Sequence, residues 1–113
     1  MILESRLLFL LLGLLPQAET HLKTAVDIRT RAFGAASPDT VKSMRGLGLV
    51  YGRQGNYPAA EKIARECLET LRRTLGSEHP DTLSAMQTLG TVYYWEQRYD
   101  EAEKLLRESL DGR

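Results

Sequence analysis

The sequence predicts an all-α protein, an α-solenoid of antiparallel helix pairs about two and a half repeats long. Three observations carry that expectation. Ser37–Leu68 and His79–Leu110 are two versions of one pattern at a constant offset of 42 residues, and laying 33–71 over 75–113 without a gap gives 16 identities in 39 positions. The identities fall where helices would start, touch and turn, and a fixed period of this size signals stacked supersecondary units. Within each version the apolar residues recur at steps of three and four, the spacing of one helical face.

Taken in order, residues 1–33 admit two readings. Arg6 followed by the run Leu7–Leu15 has the charged start and apolar stretch of a signal-like leader over 1–17, with Pro16-Gln17-Ala18 a poor cleavage site. The run is too short to span a bilayer as a helix. Alternatively the repeat register extends backwards, with Phe9 under Tyr51, Gly13 under Gly55, Pro16 under Pro58 and Ala18-Glu19 under Ala60-Glu61. Residues 1–33 then form a degenerate, truncated repeat whose orphan second helix is Ala18–Arg31. This reading is adopted because the register persists to Phe33.

Residues 34–74 form the first full repeat, with helices expected over Pro38–Gln54 and Tyr57–Thr74. Ser37 offers an N-cap oxygen, and Pro38 sits where its missing N–H costs nothing. Val41, Met44, Leu47, Gly48 and Tyr51 make the first apolar stripe. Gly55-Asn56 ends it, since both residues tolerate the left-handed backbone of a helix stop. Ala60, Ile63, Ala64, Cys67, Leu68 and Leu71 make the second stripe.

Residues 75–113 repeat the plan over Pro80–Glu96 and Tyr99–Leu110, with Leu83, Met86, Leu89, Gly90 and Tyr93 answered by Ala102, Leu105, Leu106, Ser109 and Leu110. His79 marks the start less strongly than Ser37, and Gln97-Arg98 is a weaker stop than Gly55-Asn56. Gly48 and Gly90 each cost a helix about 1 kcal/mol relative to alanine. A close helix approach, with Ala60 and Ala102 opposite, is the expected compensation. No capping element follows, so the Leu7–Leu15 strip and the outer face of Tyr99–Leu110 are expected to be exposed and to favour homo-oligomers.

Leu47-Gly48 and Leu89-Gly90, a tyrosine three residues on at Tyr51 and Tyr93, then Tyr57 and Tyr99 before Ala60-Glu61 and Ala102-Glu103, resemble the tetratricopeptide repeat. The period and the lead-in Gly76-Ser77-Glu78-His79-Pro80-Asp81-Thr82-Leu83 are similar to the kinesin-light-chain type. The resemblance implies that the first helix of each pair lines a concave groove. Lys42, Arg45, Leu49, Gly52 and Arg53 would face it from one repeat, and Ser84, Gln87, Thr91, Tyr94 and Trp95 from the next. Kinesin light chains take short acidic, aromatic-bearing cargo peptides in this groove, held partly by asparagines. Gly46 and Thr88 stand in the positions where the family usually has asparagine.

Composition narrows the function independently. Fifteen basic and fifteen acidic side chains cancel, so no overall field draws the chain to nucleic acid or to an anionic membrane. The single cysteine, Cys67, excludes an intramolecular disulfide and lies on an inner helical face, where it reads as a small apolar residue. His21 and His79 have no partner at metal or nucleophile spacing, and there is no phosphate-cradling glycine loop or nucleophile elbow. No cofactor, metal or catalytic residue is expected. The expected function is a non-catalytic protein–protein interaction module binding a protein or peptide segment, acidic with an aromatic anchor, and cytoplasmic. The alternatives are a regulatory repeat fragment of a larger signalling NTPase, or a secreted or membrane-anchored repeat protein if 1–17 acts as a signal peptide.

Overall fold

In the computed structural model, which describes residues 2–112 and the side chains of 13–112, the two versions of the repeat each fold as a helix pair. The helices are α1 (Ile2–Phe33), α2 (Pro38–Arg53), α3 (Tyr57–Leu75), α4 (Pro80–Trp95) and α5 (Tyr99–Asp111). There is no strand among the described residues. Each helix packs on its neighbour in sequence, and α2 also touches α4. Val41, Ala60, Ala64, Cys67, Leu68, Leu71, Leu83, Met86, Leu89, Val92, Tyr93 and Ala102 form one buried cluster through α2 to α5. No helix of the described residues is long and apolar enough to cross a membrane.

The helix starts differ from expectation in an instructive way. Ser37 precedes Pro38 with extended backbone but makes no side-chain cap, whereas Nδ1 of His79 accepts the Asp81 N–H at 3.1 Å. What the two starts share is a threonine. Thr40 Oγ1 donates to Gly34 O at 2.9 Å and Thr82 Oγ1 to Gly76 O at 2.7 Å, with both threonines fully buried. Each hydroxyl ties the incoming turn to the first turn of its helix, and Gly34 and Gly76 adopt φ of 91° and 90° to deliver those carbonyls.

The stop after α4 is as complete as the one after α2. Asn56 N–H returns to Tyr51 O and Arg98 N–H to Tyr93 O, both at 2.8 Å. Gly55 makes its turn at φ 85°, and Gln97 makes the equivalent turn at φ 65°. A side chain in that region is strained by about 1–2 kcal/mol. Gln97→Gly is therefore expected to raise the unfolding free energy by about 0.5–1 kcal/mol net of glycine's entropy, read from a denaturant titration.

The close approach does occur at both glycines. A Cβ built on Gly48 would stand 3.2 Å from Ile63 Cγ2 and 3.6 Å from Ala60 O, and one on Gly90 3.1 Å from Leu106 Cγ and 3.5 Å from Ala102 O. α1 departs from the expected form. Ile2–Phe33 is one continuous helix rather than a remnant pair with an orphan Ala18–Arg31 helix, and Pro16 lies inside it. Leu14 and Leu15 are strong helix formers where the full repeat has Asn56 and Tyr57, and the one hydrogen bond that Pro16 forfeits is a local loss. Thr20 Oγ1 donates to Pro16 O at 3.0 Å. The side chains of Leu7–Leu12 and the terminal Arg113 lie outside the described residues.

The junction between the two full repeats is polar at its rim. Arg98 Nη1 bonds Glu61 Oε1 of α3 at 3.1 Å, its other nitrogens meet Glu101, and its guanidinium lies 4.2 Å from the Tyr93 ring centroid. Burial alone would raise the Glu61 pKa, but the hydrogen bonds from Arg98 and Arg65 outweigh it and hold the carboxyl below its ordinary value. Glu96 moves the other way, raised by burial and by the Glu61 charge. Its Oε1 is buried without a hydrogen bond, at 3.8 Å from Arg98 Nη1, a separation too long for one.

Candidate functional site

The expected groove is the face of α2 and α4 that no other helix covers. On α2, Ser43 and Gly46 meet α1, where Arg29 Nη1 donates to Ser43 Oγ at 2.5 Å and a Cβ on Gly46 would stand 3.2 Å from Leu22 Cδ2. Val41 and Gly48 meet α3, the former through the Cys67 thiol donating to Val41 O at 3.7 Å. Gly52 meets α4. That leaves Lys42 and Arg53 exposed, with Arg45 and Leu49 half-buried. Steps of three, four and four put these four residues on one stripe.

None of Lys42, Arg45 and Arg53 forms an ion pair among the described residues, whereas Arg65, Arg72, Arg98 and Arg107 all do. Lys42 and Arg45 share a small crevice with Pro38, Val41, Leu71 and Asp81 at the end of the face where α2, α3 and α4 meet. The stripe therefore offers positive charge that the protein leaves unneutralised, beside an apolar side chain.

The α4 half of the site is rearranged relative to expectation. Trp95 is half-buried and folds back onto α2, where its ring fills the space above Gly52 that a Cβ would occupy, rather than facing forward from α4. It packs against the buried cluster. Tyr94 is 58% exposed and makes a T-shaped contact with Tyr99, centroids 5.4 Å apart at 67°. That pair belongs to the α4–α5 turn and lies apart from the α2 stripe. Thr91 Oγ1 donates to Gln87 O at 2.8 Å, and Thr88 Oγ1 to Ser84 O at 3.1 Å. Their hydroxyl protons are thereby committed to the helix, and Gln87 and Ser84 are the half-buried polar side chains left on this part of α4.

Sequence reasoning missed Tyr99 as the partner of Tyr94 and Gly52 as the receptacle for Trp95. The second was legible in principle, since the repeat offset pairs the smallest residue with Tyr94 and sets the largest one position on. It also missed that Leu22 of α1 lies over Gly46, where a Cβ would stand 3.2 Å from Leu22 Cδ2. Cys67 is buried as expected, and burial pushes its thiol up to about 12. Among the described residues no group of three or more His, Cys, Asp or Glu is arranged to hold a metal ion.

Similarity to known proteins agrees with this geometry. The tetratricopeptide repeat model matches residues 7–73 and again 48–113. Among solved structures, BtubC (BKLC) from P. vanneervenii superposes with a TM-score of 0.80 at 23% identity, covering 89% of this chain and 40% of that one. A Podosopora anserina protein described as a kinesin light chain with nearly identical TPR-like repeats superposes at 0.78 with 25% identity, covering 86% of this chain and 46% of that one. A Q17M form of it gives 0.79 at 23%, covering 92% and 49%. The chain thus spans less than half the length of each of these relatives. A comparison with curated protein sequences finds no match. Two overlapping matches that together run from residue 7 to 113, on helix pairs closed by Gly48 and Gly90, show that the chain belongs to the tetratricopeptide repeat family, whose repeats mediate protein–protein interaction.

Proposed function

We propose that the chain binds an extended segment of a partner protein along the open face of α2 and α4, with acidic residues of that segment set against Lys42, Arg45 and Arg53 and an apolar or aromatic side chain set over Leu49. One observation carries this reading: three cations with no ion pair among the described residues share a single stripe with a half-buried leucine. Charges of that kind steer encounter and fix register, while an inserted apolar anchor supplies more of the affinity. The resemblance of the repeats to the kinesin-light-chain type, which implies acidic, aromatic-bearing peptides in this groove, supports the same class of ligand.

The rearranged tryptophan changes the division of labour. Trp95 supports the floor of the groove from between the helices, so the aromatic anchor is supplied by the partner and meets Leu49. The test measures binding of acidic peptides carrying a central tryptophan or phenylalanine to the full chain and to Lys42→Glu/Arg45→Glu. The double variant is expected to associate roughly tenfold more slowly, with a flatter salt dependence, and to melt at the same temperature because Lys42 is exposed and neither residue is ion-paired. Unchanged association and salt slope would overturn the groove assignment.

A further inference from the structure

α1 carries an apolar seam that none of the described helices covers. Leu14, Ala18, His21, Ala25, Ile28 and Ala32 follow one another at alternating steps of four and three. This is the heptad spacing that keeps one seam of a helix turned to a partner helix. Leu14 is 46% and Ile28 59% exposed, His21 and Ala32 are exposed, and Ala18 and Ala25 are half-buried. The seam is distinct from the side that meets α2, which uses Leu22, Lys23 and Arg29.

The repeat offset shows what such an arc can accept. Shifted by 42 residues, Ala18, His21 and Ala25 fall on Ala60, Ile63 and Cys67 of α3. Those are the residues of α3 that α2 covers, through Gly48 on Ala60 and Ile63 and through the Cys67–Val41 contact. The same arc of α1 meets no helix among the described residues, because α1 packs on α2 alone. α3 carries α2 and α4 at once, so a helix seated on this arc of α1 is compatible with the α1–α2 contact.

We propose that the seam pairs with the same seam of a second copy of this chain, antiparallel about a two-fold axis near Lys23. That register sets Leu14 opposite Ala32, Ala18 opposite Ile28 and His21 opposite Ala25, and symmetry repeats each contact. Every layer then joins a large side chain to an alanine, the alternation that lets facing helices interdigitate. Parallel pairing stacks alanine on alanine and His21 on His21, leaving voids between crowded layers. A second copy is the occupant because the seam read backwards is its own complement, which a two-fold interface requires. A seam of 14–32 is ~28 Å long and ~10 Å wide, or roughly 400 Å² per copy once curvature is counted. The two copies together bury ~800 Å², under the ~1,000 Å² total of a stable specific interface, so the dimer is weak, reversible and concentration-dependent.

The test sediments the full chain from about 1 µM to on the order of 100 µM. A reversible dimer is expected, and Ile28→Glu, at a position exposed in the single copy, is expected to weaken it roughly tenfold or more with helicity and melting unchanged. Mixed chains carrying Leu14→Cys and Ala32→Cys are expected to cross-link to each other, while Ala32→Cys alone does not; the native Cys67 is buried and stays silent. A monomer throughout, or a dimer indifferent to Ile28→Glu, overturns the proposal. So does a dimer lost instead through Leu110→Glu on α5. An Ala32→Cys homodimer overturns the antiparallel register.

Discussion

Gly48→Leu is expected to lower the unfolding free energy by about 3 kcal/mol and the melting temperature of a chain this size by roughly 10 °C. The cost is steric. A Cβ at Gly48 already stands 3.2 Å from Ile63 Cγ2 and 3.6 Å from the carbonyl of Ala60, and a leucine places three further carbons beyond it. The α2–α3 contact must open, and the buried residues on both sides of it, Val41, Ala60, Ala64 and Cys67, lose packing with it. Gly48→Ala is the informative companion. Its single methyl meets Ile63 Cγ2, a branch methyl held at χ1 in a helix, so α3 must give by a few tenths of an ångström while the helix gains about 1 kcal/mol of propensity, and the two effects nearly cancel. Glu69→Gln, on an exposed position of α3, is expected to be neutral. Thermal melts of the three variants check the series, and an unmoved midpoint for Gly48→Leu would sink the close-approach account.

Trp95→Ala is expected to cost about 2–3 kcal/mol, somewhat under the range for a fully buried tryptophan because the ring is half-exposed. The loss is one of packing between repeats, since the ring is what fills the space over Gly52. Gly52→Ala attacks the same contact from the other side and is expected to destabilise by displacing the ring. A double-mutant cycle separates this reading from a purely ligand-facing tryptophan. With Trp95 already alanine, a methyl at Gly52 has room, so the two costs are expected to be strongly non-additive. Additive costs would mean that the ring and the glycine do not share a contact.

The two full repeats were legible because every signal in them agreed. Apolar period, small residues at Gly48 and Gly90, and turn residues all point to the same helices, and the observed ends of α2 to α5 differ from the expected ones by a residue, within the ordinary ambiguity of helix termini. In α1 the repeat register does run back, with the family match beginning at residue 7, and what was misjudged is the separate helix expected from Ala18. Gly55 stops a helix by adopting φ 85° ahead of Asn56, and Gly13 ahead of Leu14 has no such company. The stop after α4 was underrated for the converse reason, as Gln97 is held left-handed by the hydrogen bonds of Arg98 and its own N–H. In the candidate site, helical spacing placed Lys42, Arg45, Leu49 and Arg53 on one stripe but said nothing of which neighbour would claim each side chain on α4. Trp95 and Tyr94 adjoin in sequence and part in space because one finds a glycine across the groove and the other finds Tyr99.

The order in which the helices touch also sets how the chain reaches this state. Among the described residues every helix contacts its sequence neighbours, and the contacts that skip a helix are α2 with α4 and the Arg72–Glu108 ion pair between α3 and α5. Native contacts therefore close short loops, whose entropic cost is small, and a topology of this kind folds rapidly for its size. α3 sits in the middle, packed on one side through Ala60 and Cys67 and on the other through Leu68 and Leu71, while α1 packs on α2 and α5 packs on α4 with one ion pair to α3. Order is expected to propagate between neighbouring helices, with α3, packed on both sides, the best-protected helix in hydrogen exchange. The same helix is the last to release its backbone amides to solvent, and the outer helices open and close around it many times before the whole chain unfolds.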